Sequence, residues 1–224
     1  MIDLSLYLVT DADQCHARGR SVLDTVALAV ARGVTCVQLR AKDADARTFL
    51  AEVLDVAHAV GQQVPVIVND RVDVFLAARA MGAPVAGVHV GQSDLPADLV
   101  RRLIGPDATL GLSAASPEEI AAAAADPAAI DYIGIGAVHA TATKPDAPPA
   151  LGVAGTAALA RTTTLPAVAI GGITASDLPE LAAGGLAGAA VVSAICCADD
   201  PRQAAAELAA AWASTSADTP QEQS

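Results

Sequence analysis

Aromatic residues are nearly missing from this 224-residue chain: one Trp, two Tyr and two Phe, 2% in all. With 53% hydrophobic residues the core must be built from small side chains, and a chain of this length still buries roughly 70–75% of its unfolded surface. Charge is also sparse, at 17%, too little for a coiled coil, while the apolar content is too high for disorder. Basic residues are outnumbered 13 to 25, for a net charge of −12. No broad basic face exists for nucleic acid or an anionic membrane; a small anionic substrate held by a few local cations remains open. The four cysteines (Cys15, Cys36, Cys196, Cys197) show no C-x-x-C or metal-finger spacing, which suits free thiols in a reducing cytoplasm. The N-terminus lacks a basic region and a cleavage signature. The one long uncharged run, residues 181–198, is broken by Gly184, Gly185 and Gly188 and reads as helix end, glycine turn and buried strand rather than a membrane span.

Alternation is what the sequence does have. Short apolar runs at residues 4–9, 36–39, 64–68, 87–90, 109–112, 132–135, 166–170 and 189–192 are separated by alanine-rich amphipathic segments. Several runs are apolar on consecutive positions, as in parallel strands buried on both faces. Between them, Phe49, Val53, Val56 and Val60 share one helical face, as do Leu95, Leu99 and Leu103. The last helix is expected to end near Trp212. Eight βα units in this length predict an α/β fold, a single-domain (β/α)8 TIM barrel over residues 1–213, with a polar, disordered tail at 214–224. A doubly wound open sheet is the competing architecture, but no G-x-G-x-x-G follows the first run. A proline-broken loop from Gly136 to Gly152 interrupts the period, as functional lids do.

In such barrels chemistry gathers beyond the C-terminal strand ends. The residues following the runs are polar almost throughout. They include Gln38, Arg40 and Lys42; Asn69, Asp70 and Arg71; Gly91, Gln92 and Asp94; Ser113; Thr141, Thr143 and Lys144; Gly171 and Gly172; and Ser193. Both lysines of the chain are among them. Asp70 and Asp94 end neighbouring runs and would repel unless a hard cation such as Mg2+ joined them to substrate phosphates. Asp94 has a second reading, as cap of the helix opening near Leu95 and Pro96. Asp73 is expected to cap or pair locally. Arg40, Lys42 and Lys144 supply cations for a pyrophosphate. Gly171–Gly172 and Val192–Ser193 fit the phosphate site common after strands seven and eight. The histidines look bland: His16 and His58 on surfaces, His89 inside a strand, His139 in the long loop. No Ser–His–Asp or Cys–His constellation emerges.

Taken in order, the segments carrying these residues resemble the thiamine-phosphate synthase family over nearly the whole chain. They are Tyr7–Asp11, Val37–Lys42, Val68–Asp73, Gly87–Leu95, Asp131–Gly136, Thr141–Lys144, Ala169–Ile173 and Val191–Ile195. The resemblance implies a barrel synthase, a transferase that joins a hydroxymethylpyrimidine pyrophosphate to a thiazole phosphate, releasing pyrophosphate. It also implies contacts to the pyrimidine pyrophosphate from Gln38, Leu39, Arg40, Ala41, Lys42, Asn69, Ser113, Thr141, Ala142, Thr143 and Lys144. Gly172, Val192 and Ser193 map to the thiazole-phosphate site, and Asp70 and Asp94 to the magnesium ligands. Arg40, Lys42, Ser113 and Lys144 are the expected catalytic set. Electrostatic stabilisation of the leaving group requires no side-chain nucleophile, in keeping with the missing triad. The partners are then small molecules, without nucleic acid or membrane, and a homo-oligomer is compatible with the composition.

Three positions depart from the family pattern. Ala41 stands where Glu is usual, Ala114–Ala115 where a Thr–His pair is usual, and His139 where Phe is common. A related thiazole tautomerase uses a histidine at the position of Ala137, which disfavours that alternative. A non-catalytic phosphate-binding barrel gains nothing from the paired carboxylates. Isomerases on this fold need an acid–base pair, and no convincing one is found.

Overall fold

A computed structural model describes residues 2–140 and 150–214. Eight strands, β1 (Leu6–Val9), β2 (Cys36–Leu39), β3 (Val66–Asn69), β4 (Gly87–Val90), β5 (Thr109–Ser113), β6 (Tyr132–Gly136), β7 (Ala167–Ile170) and β8 (Gly188–Val191), form a closed barrel in sequence order. Every neighbouring pair is parallel, and closure comes from Leu6 lying opposite Ala189. The (β/α)8 expectation therefore holds. Each strand falls within two residues of its apolar run. β3 and β7 begin one residue after Pro65 and Pro166, whose nitrogens cannot donate to a ladder. Their carbonyls still accept, from Val37 (3.0 Å) and Ile133 (2.9 Å).

Strand parity divides the core in two. Leu6, Leu8, Val37, Leu39, Val66 and Val68 point outward into the layer shared with the helices. Tyr7, Val9, Cys36, Ile67, Tyr132, Val168 and Ala190 fill the lumen. Both tyrosines are thus spent inside the barrel, and both phenylalanines, Phe49 and Phe75, in the outer layer.

The helices are α1 (Ala12–Ala17), α2 (Val22–Val30), α3 (Ala46–Val60), α4 (Val72–Ala80), α5 (Ala97–Ile104), α6 (Pro117–Ala125), α7 (Gly152–Ala160), α8 (Leu178–Ala183), α9 (Ser193–Cys196) and α10 (Pro201–Ala213). Side-chain caps start several of them: Asp11, Ser21, Asp45, Ser116 and Asp200 each accept a backbone N–H of the first turn. α3 buries Phe49, Val53, Val56 and Val60 as its periodicity predicts. α5 does the opposite of its expected pattern. Its buried residues are Ala97, Val100 and Ile104, while Leu95 and Leu103 are 45% and 44% exposed. Ala97, Val100 and Ile104 face the barrel, and Arg101 fixes the roll of the helix. That guanidinium donates to the carbonyls of Ala128 (2.8 Å), Ala129 (3.0 Å) and Gly105 (3.0 Å) and pairs with Asp131 (2.8 Å).

Residues 181–198 comprise the end of α8, the Gly184–Gly185 turn, β8 and α9. Among the described residues no helix is long and apolar enough to cross a membrane. All four cysteines are free thiols. α10 runs to Ala213 with Ser214 as its C-cap, so the described chain reaches one residue into the expected tail. Residues 215–224 lie outside the described part.

Candidate active site

The C-terminal strand ends bring most of the expected residues to one rim. Thr10, just past β1, donates its backbone N–H to the Gln38 carbonyl (2.9 Å), and its hydroxyl accepts from the Arg40 N–H (3.1 Å). This tie sets the course of the chain leaving β2 and so places Arg40, Ala41 and Lys42 at the mouth. Among the described residues neither Arg40 nor Lys42 is in an ion pair. In a chain of net charge −12, two cations kept clear of carboxylates are available for an anionic ligand. Leu39 is fully buried in the outer layer, so only its backbone is placed for substrate contact. Arg71 is different: its guanidinium is committed to Asp73 at 2.6 Å. The hydrogen bond from Arg71 holds the Asp73 carboxyl below its ordinary range, the local pairing expected for Asp73.

Asp70 follows β3 with φ 59°, a left-handed conformation that Asp tolerates better than most residues but that still carries strain. Two neighbours hold it there. Its N–H donates to the His89 carbonyl (2.8 Å), and Asn69 Nδ2 donates to its carboxylate. Asn69 sits opposite His89 in the β3–β4 ladder, so β4 steers both residues. After β4, Asp94 Oδ2 accepts the Gly91 N–H at 2.7 Å, closing that turn. It does not cap α5, whose N-cap is Pro96 with no side-chain cap bond. Proline in the linker puts two residues between Asp94 and the helix, too far for a cap. Gln92 pins the same turn to β5 by donating to the Ser113 carbonyl (2.7 Å). Asp70 and Asp94 are both exposed at the ends of adjacent strands and offer only oxygen donors. No cluster of three or more His, Cys, Asp or Glu groups gathers for a metal among the described residues. Two carboxylates that leave room for waters and substrate phosphates are the donor set magnesium accepts.

On the far side of the mouth, the chain leaving β6 stays paired with the β7 turn. Val138 and His139 donate backbone N–H groups to Ile170 and Gly171 (2.9 Å each). Returning, Leu151 and Gly152 donate to Ala137 and Val138 (2.9 Å each). Both ends of the long loop are thereby clamped at the rim. Thr141, Ala142, Thr143 and Lys144 themselves lie outside the described residues. Gly171 and Gly172 have φ of 105° and 66°. A Cβ on Gly172 would stand 2.9 Å from the His139 Cβ, so glycine is required both by conformation and by close approach. His139 is no free surface residue: its Nε2 meets Asp177 Oδ1 at 3.0 Å, tying the loop to the segment before α8. Val192 is the N-cap of α9 and Ser193 its first residue, where backbone N–H groups have no intrahelical acceptor.

Sequence reasoning missed the lumen below this rim. Gln38 Nε2 donates to Tyr7 Oη (2.9 Å), and Tyr7 and Tyr132 share a hydroxyl–hydroxyl bond (2.8 Å). Tyr132 Oη meets His89 Nδ1 (3.0 Å), and His89 Nε2 meets Ser113 Oγ (3.0 Å). Burial pushes both tyrosine hydroxyls up from their ordinary pKa, so they remain phenols. His89, taken from sequence as bland, is thus a buried junction between two expected site residues. Its signal was a polar residue at the inward parity of β4, with Gly111 and Gly134 at inward positions of the next two strands.

Comparison with known proteins agrees with this geometry. A family model described as thiamine monophosphate synthase matches residues 6–195. The chain is 45% identical over 206 residues to the thiamine-phosphate synthase of Albidiferax ferrireducens, covering 92% of this chain and 90% of that one. It is 47% identical over 204 residues to that of Vibrio campbellii, covering 91% and 95%. Among solved structures, the thiamine phosphate pyrophosphorylase of Pyrococcus furiosus superposes with a TM-score of 0.81 at 31% identity, covering 95% of this chain and 97% of that one. Family model, relatives and barrel agree: the chain belongs to the thiamine monophosphate synthase family.

Proposed function

We propose that this enzyme of thiamine biosynthesis joins a hydroxymethylpyrimidine pyrophosphate to a thiazole phosphate at the barrel rim. The observation that carries the reading is the pairing of uncommitted cations, Arg40 and Lys42, with the carboxylates Asp70 and Asp94 around one mouth. Such a mixed set suits a magnesium pyrophosphate and suits neither a bare anion nor a bare metal.

The carbon–oxygen bond from the pyrimidine methylene to pyrophosphate breaks, and the thiazole nitrogen forms a carbon–nitrogen bond to the same methylene. Asp70 and Asp94 would hold Mg2+, which would supply charge to neutralise the departing pyrophosphate. Arg40 and Lys42 hold the same oxygens, with Lys144 assigned to join them from the long loop. Cations positioned before the bond breaks stabilise developing charge without reorganising. Asn69 and Ser113, at the ends of β3 and β5, orient the pyrimidine part, together with Gln38 and the backbone of Leu39 and Ala41. Gly172, Val192 and Ser193 hold the thiazole phosphate, and Thr141, Ala142 and Thr143 are assigned to the pyrimidine pyrophosphate. Holding both reactants replaces a bimolecular encounter with a local one. No group on the chain needs to act as nucleophile. The free thiols suit a reducing cytoplasm as the place of action.

Purified protein incubated with both phosphorylated substrates tests this. Thiamine phosphate is expected with Mg2+ and not with a chelator. Asp70→Asn keeps a residue tolerant of the left-handed backbone and removes the charge. This variant is expected to fold normally and need about tenfold or more magnesium for half-maximal rate. Product formed equally in chelator, or an unchanged magnesium requirement, rejects the metal assignment. Lys144→Ala is expected to lower turnover more than thiazole-phosphate affinity, and the reverse pattern moves the loop to the other substrate.

A further inference from the structure

The five side chains Gln38, Tyr7, Tyr132, His89 and Ser113 come from β2, β1, β6, β4 and β5 and cross the whole lumen. Sequence separations along the chain of bonds reach 125 residues, so only barrel closure assembles it. The lumen is shaped for it. A Cβ on Gly111 would overlap the Tyr132 ring and His89 Nδ1. At Gly134 a Cβ would lie 3.4 Å from the imidazole Cε1. Those two glycines make the notch through which His89 reaches Tyr132.

Direction can be assigned from donors and acceptors. Gln38 donates to Tyr7 Oη, so the single Tyr7 proton must go elsewhere. Tyr132 Oη at 2.8 Å is a far better acceptor than the neighbouring Cys36 sulfur. Tyr132, having accepted, donates its own proton to His89 Nδ1. The imidazole is then neutral with its proton on Nε2, and Nε2–H points at Ser113 Oγ. Ser113, occupied as an acceptor on its inner side, presents its hydroxyl proton toward the mouth.

Resting on the function proposed above, we propose that His89 is a positioning residue. The buried chain locks its Nε2–H tautomer, and this makes Ser113 a hydrogen-bond donor to the pyrimidine pyrophosphate as the leaving group gains charge. Ser113 touches substrate and His89 acts through it. Tyr132 acts one step further back. The cost of burying four of these polar side chains in the lumen, Gln38, Tyr7, Tyr132 and His89, is offset only because each is satisfied in turn.

The test is a double-mutant cycle with a spectroscopic check. Tyr132→Phe preserves ring volume and packing while removing the proton that Nδ1 accepts. Its kcat is expected to fall about 3–10-fold, the size of one hydrogen bond, with KM for the pyrimidine substrate changing much less. In a Ser113→Ala background the same change is expected to alter kcat by less than about twofold, because the path to substrate is already cut. His89→Gln, whose Nε2 can still donate to Ser113, is expected to retain more kcat than His89→Asn. Equal losses from Tyr132→Phe in both backgrounds overturn the proposal and leave a purely structural role. Nitrogen-15 NMR of histidine in the ligand-free wild type reads the tautomer directly. Nε2–H alone is expected, and Nδ1–H or a doubly protonated ring overturns the assignment. Since that measurement needs no turnover, a protein with the expected tautomer that makes no thiamine phosphate counts against the reaction, not against the locked histidine.

Discussion

Gly111 and Gly134 face the same imidazole from neighbouring strands, yet their tolerance to a methyl group should differ. At Gly111 the added Cβ would overlap Tyr132 and His89, whereas at Gly134 its contacts with the ring are 3.4 and 3.7 Å, ordinary packing distances. Gly111→Ala is therefore expected to cost about 1–3 kcal/mol, the usual toll of overpacking, and Gly134→Ala less than about 1 kcal/mol. Urea unfolding of both variants checks this, and equal losses would mean the notch is not tight. At this scale the rim was legible in the sequence, because polar residues directly after apolar runs stand out and a barrel collects them at one end. Arg40, Lys42, Asn69, Asp70 and Ser113 are all found there. His89 was not legible. Its partners Tyr132 and Ser113 lie 43 and 24 residues away, and only the strand register turns a histidine within an apolar run into a hydrogen-bonded junction. Nor was the role of Asp94 settled by its position before a helix. The carboxylate reaches back to Gly91 rather than forward, because Leu95 and Pro96 separate it from α5.

Helix α5 shows why periodicity alone misplaces a face. Leu95, Leu99 and Leu103 recur at helical spacing, but so do Ala97, Val100 and Ile104 with the bonds of Arg101, and the barrel takes the second set. Spacing alone does not choose between the two stripes; the bonds of Arg101 to Ala128, Ala129 and Asp131 hold the second one inward. Ile104→Ala is expected to destabilise the fold by about 2–5 kcal/mol, as for other large-to-small changes in a core. Leu103→Ala, at a 44% exposed position, should stay within about 0.5 kcal/mol. Denaturant midpoints of the two variants decide the orientation, and a reversed order would restore the leucine face. On α3, by contrast, Phe49, Val53, Val56 and Val60 are buried as their spacing predicts, with Leu50 and Leu54 packed at the edge of the same core. Strands were the most legible elements of all: fully buried parallel strands have no polar face to confuse the pattern.

Across the whole molecule, ionisation shapes both stability and function. Glu52 on α3 is partly buried near His16, and its Oε1 has no hydrogen-bond partner among the described residues. Burial raises its pKa above the ordinary 4.5, so the folded state holds this proton more tightly than the unfolded chain. Its penalty is absent below the ordinary value and develops as pH rises through the folded one. Glu52→Gln should therefore stabilise the protein at pH 7 and above, with the gain vanishing toward acid. A gain that persists or grows in acid would contradict that sign. Asp73, lowered by Arg71, works in the opposite sense: its contribution is present above the ordinary carboxyl range and fades as pH falls through the folded value. These local effects leave the central question at the mouth, where a chain of net charge −12 places Arg40 and Lys42 after β2, and Asp70 and Asp94 after the next two strands. Phosphorus-31 NMR of one reaction mixture tests it most directly. With both substrates and Mg2+, thiamine phosphate and inorganic pyrophosphate should appear together in equal amounts, and omitting the thiazole phosphate should stop the synthesis. Spectra that stay unchanged with both substrates and saturating magnesium, while the protein still binds the thiazole phosphate, would mean a phosphate-binding barrel and not a synthase.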